Sequence, residues 1–258
     1  MFTVASASGN TFAYAWDELP PGGDGPAWAR ALCPGRKLDG LFLLARPLPG
    51  RPWGMEHWDA DGAATFCSNG TRAALALPGA PPGSEIAVVS SGEPVRLRRE
   101  GDAVAILMPS GPGTGFRPFP APLEGPHAFG WVGNPQLVLE RPGVATLDLG
   151  LLAVPLRRHP ALPGGTNVNV LEVLGPGAAR IRSWERGVEG ETLCCGTGCA
   201  VAGAWLARRT GIRTWRLLPR GGEVTVTASP EGEGWRELWL SGPVAVMGAF
   251  AADPSLLS

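Results

Sequence analysis

Lysine is nearly missing from this chain. Lys37 stands alone among 22 basic residues, the rest being arginine, and 23 acidic residues bring the formal net charge to -1. No basic stripe is present, and phosphate binding needs clustered cationic side chains, so nucleic acid is not an expected partner. Long apolar runs are also missing: the longest, around 197–207, is too short to span a bilayer and ends at Arg208-Arg209, so no membrane partner is expected. The start, Met1-Phe2-Thr3-Val4, lacks the basic and apolar regions of a secretory signal. Histidine is scarce and scattered (57, 127, 159), and the Cys194-Cys195 pair with Cys199 lacks the two-plus-two spacing of zinc ligands, so no metal is expected. Five cysteines, an odd number without disulfide-like spacing, point to a reducing, cytoplasmic setting.

Glycine and proline, by contrast, are abundant, at 38 and 27 residues, and break the chain too often for many long helices. Strand-like runs cover 11–16, 41–45, 85–89, 94–99 and 103–108, then 137–140, 166–174, 178–184, 214–218, 223–228, 237–240 and 244–250. Helices are expected over 69–77 and 197–210, both rich in Ala and Leu, with weaker candidates at 26–32 and 148–156. The Gly- and Pro-rich stretch 110–126 reads as a linker.

Each confident helix begins beside a cysteine motif that occurs twice. Cys67-Ser68-Asn69-Gly70 is followed 128 residues later by Cys195-Gly196-Thr197-Gly198. Gly9-Asn10 recurs as Gly133-Asn134, and Asp61-Gly62 is echoed by Arg186-Gly187, at nearly the same offset. A near-constant offset predicts a duplicated domain that presents one cysteine from each half. A cysteine at a helix entrance meets unpaired backbone N–H groups and the positive end of the helix dipole, which favour a thiolate of lowered pKa. The same N–H groups can hold a carboxylate, and Gly70 and Gly198 are expected to let a ligand approach the backbone. Two matched thiols suit a reaction in which a proton leaves one face of a carbon and returns to the other. For either cysteine alone, the bland reading as a small buried hydrophobe is the commoner outcome. Cys33, Cys194 and Cys199 are read as interior residues.

Further segments match a known pattern in order. Ser8-Gly9-Asn10-Thr11-Phe12 is similar to Gly-Asn-Asp-Phe, and Asp59-Ala60-Asp61-Gly62 with Cys67-Ser68-Asn69-Gly70-Thr71-Arg72 to Asn-x-Asp-Gly followed by Cys-Gly-Asn-Gly-x-Arg. Gly133-Asn134-Pro135-Gln136 is similar to Gly-Asn-Pro-His, and Asn167-Val168-Asn169-Val170 to a Val-Asn-Val strand. Glu185-Arg186-Gly187 and Glu191-Thr192-Leu193-Cys194-Cys195-Gly196-Thr197-Gly198 are similar to Glu-Arg-Gly and Glu-Thr-x-Ala-Cys-Gly-Thr-Gly. Along essentially its whole length the chain resembles the diaminopimelate epimerase family, which is cofactor-independent.

The resemblance implies an α+β fold of two pseudo-symmetric domains, each a barrel-like, mostly antiparallel sheet around a central helix. Their expected extents are 1–115, joined by 248–258, and 116–247, with the active site in the cleft between them. It implies conversion of LL-diaminopimelate to the meso form, in lysine and peptidoglycan precursor synthesis, by a homodimeric enzyme. Cys67 and Cys195 would exchange the proton. Ser68, Asn69, Gly196 and Thr197 would hold the reacting carboxylate, and Asn10, Asp59, Asn134, Asn169, Glu185 and Arg186 would contact the substrate. The chain departs from the pattern at Asp59 (for Asn), Ser68 (for Gly), Gln136 (for His) and Cys194 (for Ala). Two other readings share parts of the pattern: a proline racemase-like enzyme with the same cysteine pair, and a non-catalytic amino-acid-binding relative. A phenazine-type isomerase would use a carboxylate base, against which cysteine in both motifs argues.

Overall fold

The computed structural model describes residues 1–81 and 85–257. The chain divides into two compact units, Met1–Ile106 with Gly242–Ser258, and Leu107–Ser241. The first part of the chain forms β1 (Phe2–Ala7), β2 (Asn10–Trp16), α1 (Gly25–Arg36), β3 (Gly40–Leu44), β4 (Trp53–Asp59), α2 (Ser68–Ala74), β5 (Glu85–Ser90), β6 (Glu93–Glu100) and β7 (Ala103–Leu107). There follow β8 (Gly115–Arg117), β9 (His127–Val132), β10 (Asn134–Glu140), α3 (Leu149–Arg157), β11 (Asn167–Gly175), β12 (Ala178–Glu185), β13 (Gly190–Thr192) and α4 (Gly196–Thr210). The last elements are β14 (Thr214–Leu218), β15 (Val224–Glu231), β16 (Gly234–Phe250) and a 3-10 turn at Pro254–Leu257.

The two units repeat one plan. In the first, β1 to β7 follow in order to the distal part of β16, which pairs back onto β1 and closes the sheet. In the second the order is β16, β15, β14, β12, β11, β10, β9, β8, and the Phe116 N–H bonds the Glu233 carbonyl, drawing β8 toward the start of β16. From β1 to β6 the pairings run antiparallel, parallel, antiparallel, parallel, antiparallel. From β9 through β10, β11, β12 and β14 to β15 they run in the same sequence. Each parallel step needs a crossover, and a helix occupies each one: α1 and α2 in the first unit, α3 and α4 in the second. The hairpin between β1 and β2 turns at Gly9 (φ 86°), and that between β9 and β10 at Gly133 (φ 70°), a region closed to most side chains.

The helices fall into two kinds. In α1 the buried residues Trp28, Ala29, Leu32 and Cys33 form one stripe, and in α3 Leu149 and Ala153 do. Their N-caps are made by Asp24, which accepts from the Ala27 N–H, and Asp148, which accepts from the Leu151 N–H. The α1 stripe packs with Phe2, Ala13, Ala15, Leu41 and Trp58. Leu149 and Ala153 of α3 pack with Phe129, Leu137, Leu139, Val168 and Val170. By contrast, α2 is buried on every side, and α4 along most of its length. A helix buried all round is a core element, so these two sit inside their sheets.

Several strands lie outside the expected runs. β1, β4 and β9 carry Gly, His or small residues at buried positions, such as Ala5, His57 and Gly130. These dilute the apolar alternation on which strand recognition depends. The stretch read as a linker contains β8, and the runs at 237–240 and 244–250 are parts of one continuous β16. Among the described residues no helix is long and apolar enough to cross a membrane.

Candidate active site

In the first unit, β4 ends at Asp59 and the chain reaches Cys67, whose extended backbone (φ -124°, ψ 104°) makes it the N-cap of α2. The helix it opens, Ser-Asn-Gly-Thr-Arg-Ala-Ala, is polar yet buried, so its side chains must find partners inside the protein. Asn69 Nδ2 donates to Asn10 Oδ1 (2.9 Å), and Asn10 Nδ2 donates to Asp39 Oδ1 (3.2 Å). Arg72, with no exposed surface, donates to Asn69 Oδ1 (2.9 Å), Ser8 Oγ (3.0 Å), the Gly242 carbonyl (2.8 Å) and the Val104 carbonyl (3.3 Å). Tyr14 donates its hydroxyl to the Gly70 carbonyl (2.8 Å). Burial pushes that phenol well above its ordinary pKa; Cys67 adds to the shift and Arg72 opposes it. The Thr71 hydroxyl donates to the Cys67 carbonyl (2.8 Å). Of the residues expected in this half, Asn10, Ser68 and Asn69 are thus buried around the entrance to α2. Asp59 lies 3.8 Å from Nε2 of the buried His57. That pair is no ion pair near neutral pH, because burial lowers the His57 pKa to about 4.

In the second unit Cys195, 2 % exposed, is the N-cap of α4 (φ -91°, ψ 101°). Its Sγ lies 3.6 Å from Thr197 Oγ1, 3.8 Å from Gln136 Oε1 and 3.9 Å from Asn167 Nδ2. Asn167 Oδ1 accepts the Arg186 N–H (2.8 Å), and the Arg186 guanidinium donates to Asn134 Oδ1 (3.3 Å) and the Gly164 carbonyl (3.2 Å). The Thr192 hydroxyl donates to the Glu185 carboxylate. Asn134, Glu185, Arg186, Gly196 and Thr197 are therefore linked, directly or through one neighbour, to the surroundings of Cys195.

Three expectations change. Asn169 is fully buried and bonded to Ser183, Gln136 and the Leu137 carbonyl, so it lies beneath the site; Asn167, two residues earlier, faces the sulfur. Period-two alternation puts both on one face of β11, and which one meets the sulfur depends on register that the motif does not encode. The Cys195 thiol is pushed well above its ordinary pKa, first by burial and then by the Glu185 carboxylate. Hydrogen bonds from Thr197 and the Gly198 N–H oppose this, so the helix entrance acts in the expected sense and is outweighed. Finally, Gly70 and Gly198 make room for the protein itself. A Cβ on Gly70 would lie 2.1 Å from the Phe42 ring, and one on Gly198 would lie 2.1 Å from Asn169 Oδ1. The motifs assign no role to Tyr14, and the Arg that ends the first cysteine motif is the only sequence signal for Arg72.

Two like-built units, each with a cysteine at the entrance of its buried helix, define the class by architecture: a duplicated α+β fold. The chain superposes on a phenazine biosynthesis protein of the PhzF family from Enterococcus faecalis with a TM-score of 0.66 at 16% identity, covering 97% of this chain and 100% of that one. It also superposes on a hydroxyproline epimerase from Agrobacterium vitis with a TM-score of 0.63 at 14% identity, covering 96% and 90%. The family model for diaminopimelate epimerase matches residues 128–246. The chain is 34% identical over 242 residues to a diaminopimelate epimerase of Chlorobaculum tepidum, covering 83% of this chain and 86% of that one. It is 30% identical over 248 residues to one from Synechococcus sp. (strain JA-2-3B'a(2-13)), covering 84% and 85%. The chain belongs to the diaminopimelate epimerase family, and is an isomerase of the epimerase type.

Proposed function

We propose that this protein converts LL-diaminopimelate to meso-diaminopimelate by passing a proton between Cys67, Cys195 and the α-carbon of the substrate. The observation that carries this reading is the matched placement of the two cysteines, each the N-cap of a buried helix in the same step of a repeated topology. In the forward step one sulfur, as thiolate, takes the α-hydrogen, and the other, as thiol, delivers its own proton to the opposite face. The two protonation states are exchanged in the product complex. The face of the α-carbon that each sulfur meets sets which one is the base from the LL form, and the roles reverse from the meso form.

Backbone N–H groups at the starts of α2 and α4, at Ser68-Asn69 and Gly196-Thr197, would hold the reacting carboxylate as negative charge builds on it. Arg186, whose planar guanidinium suits a carboxylate, with Asn134, Asn167 and Glu185, would take the distal amino and carboxylate groups. Asn10 and Asp59 would complete the set from the first unit. The reading requires the two sulfurs to reach opposite faces of one carbon. A role in lysine and peptidoglycan precursor synthesis, a cytoplasmic location and a homodimer belong to the same proposal.

The test is incubation of the reduced protein with LL-diaminopimelate in D2O, followed by NMR and chiral chromatography. The expected result is deuterium at one α-carbon together with the meso product, and no exchange into L-proline. Exchange into L-proline instead, or none with either amino acid, would refute the assignment.

A further inference from the structure

The sulfur of Cys195 is almost cut off from solvent, so what it can do with a proton is set by the protein groups around it. Their donor and acceptor roles can be worked out from two backbone anchors. One terminal atom of the Asn169 amide lies 3.2 Å from the Leu137 carbonyl, which can only accept, so that atom is the amino nitrogen. The other is then Oδ1, which accepts the Ser183 hydroxyl (2.7 Å). The same Asn169 nitrogen donates to the Gln136 amide (2.9 Å), which fixes that atom as Gln136 Oε1. Gln136 Nε2 must therefore donate to Thr197 Oγ1 (2.8 Å). Thr197, having accepted, has its own hydroxyl hydrogen left for the Cys195 sulfur (3.6 Å). The second anchor is the Arg186 N–H, which can only donate: it fixes Asn167 Oδ1, and turns Asn167 Nδ2 toward the sulfur (3.9 Å).

Cys195 thus has donors for its thiolate, from Thr197, Asn167 and the Gly198 N–H, and an acceptor for its S–H, Gln136 Oε1 at 3.8 Å. Gln136 takes part in both arrangements. It receives the S–H when the residue is a thiol, and holds the Thr197 hydroxyl in the donating sense when it is a thiolate. Gln136 has no exposed surface, and the acceptor it offers is neutral at every pH. It stands where the family pattern has a histidine, so this chain has replaced a group that can itself titrate with one that cannot. The charged and titratable groups that act on Cys195 are then Glu185 from β12 and the neighbouring thiols of Cys194 and Cys199.

We infer that Gln136, fixed in orientation by Asn169, is the positioning residue that lets buried Cys195 both hold and release a proton. The inference rests on the two-thiol reading only for its catalytic meaning; the positioning itself can be measured without turnover. The full-length protein would be labelled with [3-13C]cysteine. The Cys195 resonance, assigned with Cys195→Ser, would be followed by NMR through the thiol titration range.

Thr197→Val removes the hydroxyl donor and should raise the midpoint, leaving several-fold less thiolate at a given pH, while Thr197→Ser should return it to the wild-type value. Gln136→Glu is nearly isosteric. It places a carboxylate beside the sulfur and draws the Thr197 hydroxyl to itself, and should lower the thiolate fraction by about tenfold or more. Adding Thr197→Val to Gln136→Glu should then change little further. A relay that only supports packing would lower the melting temperature of these variants and leave the Cys195 midpoint in place. That result, or identical midpoints for Thr197→Val and Thr197→Ser, would overturn the inference. If Gln136→Glu does not fold, the Thr197 pair decides alone. Absence of turnover with unchanged NMR behaviour would count against the two-thiol reading and leave this one standing.

Discussion

At the scale of single residues, the two motif cysteines occupy corresponding positions in different chemical surroundings. Cys67 caps a helix whose fifth residue, Arg72, is a buried guanidinium, and Cys195 sits among neutral amides with the Glu185 carboxylate within electrostatic range. The duplicated motif gave no hint of this, because burial and charge arrive from β10, β11 and β12 and not from the motif itself. His57 is a second residue governed by burial. Its ring lies 4.4 Å from that of Phe42 and 5.9 Å from that of Phe12, and Nδ1 faces the Thr65 carbonyl (3.2 Å). Its pKa falls to about 4 in the fold, against about 6.5 in an unfolded chain. The unfolded chain therefore takes up a proton first as pH drops. The stability His57 contributes is complete above about pH 6.5 and is lost progressively toward pH 4, a change of about 3 kcal/mol. Urea unfolding across that window should show this loss in the wild type and a flatter curve in His57→Gln. Equal slopes would contradict the assignment.

At the scale of elements, α2 and α4 are legible in the sequence as helices that follow cysteines, since Ala- and Leu-rich runs after a Cys-x-x-Gly start give the boundary. Their burial on most sides is less legible for α2, because its exposed-looking residues Asn69, Thr71 and Arg72 are satisfied by partners far away in sequence. The close approach of each helix to its sheet depends on one glycine. Gly70→Ala would press a methyl into Phe42, and Gly198→Ala would press one into Asn169, so each should destabilise by about 1–3 kcal/mol. Gly35, near the end of α1, has no atom within 4 Å of an added Cβ. There the same substitution should stabilise by about 0.5–1 kcal/mol, since it only restricts the unfolded chain. Denaturant midpoints of the three variants would test this; a stabilised Gly70→Ala or Gly198→Ala would show that the helix can move away. Of the weakly signalled helices, α1 runs one residue earlier and four later than expected, and α3 is displaced by one residue, with Asp24 and Asp148 as their caps.

At the scale of the whole molecule, the constant offset between motifs was the most informative feature of the sequence. Its physical basis is the shared run of strand pairings with helices in the same crossovers. Repeated topology keeps repeated motifs equally spaced even where the rest of the two halves has diverged. The chain's path was less visible. β16 contributes Gly234–Ser241 to the second unit and Gly242–Phe250 to the first, and a single long strand that belongs to two units has no distinct sequence pattern. If the duplication serves one reaction, each half supplies one of two indispensable sulfurs, and neither half can act as acid and base alone. The direct test is the rate of LL-to-meso conversion in D2O for Cys67→Ala and Cys195→Ala, each checked for folding by circular dichroism. Loss of conversion in both folded variants is the predicted result; a folded variant that turns over near the wild-type rate with one sulfur missing would contradict the account.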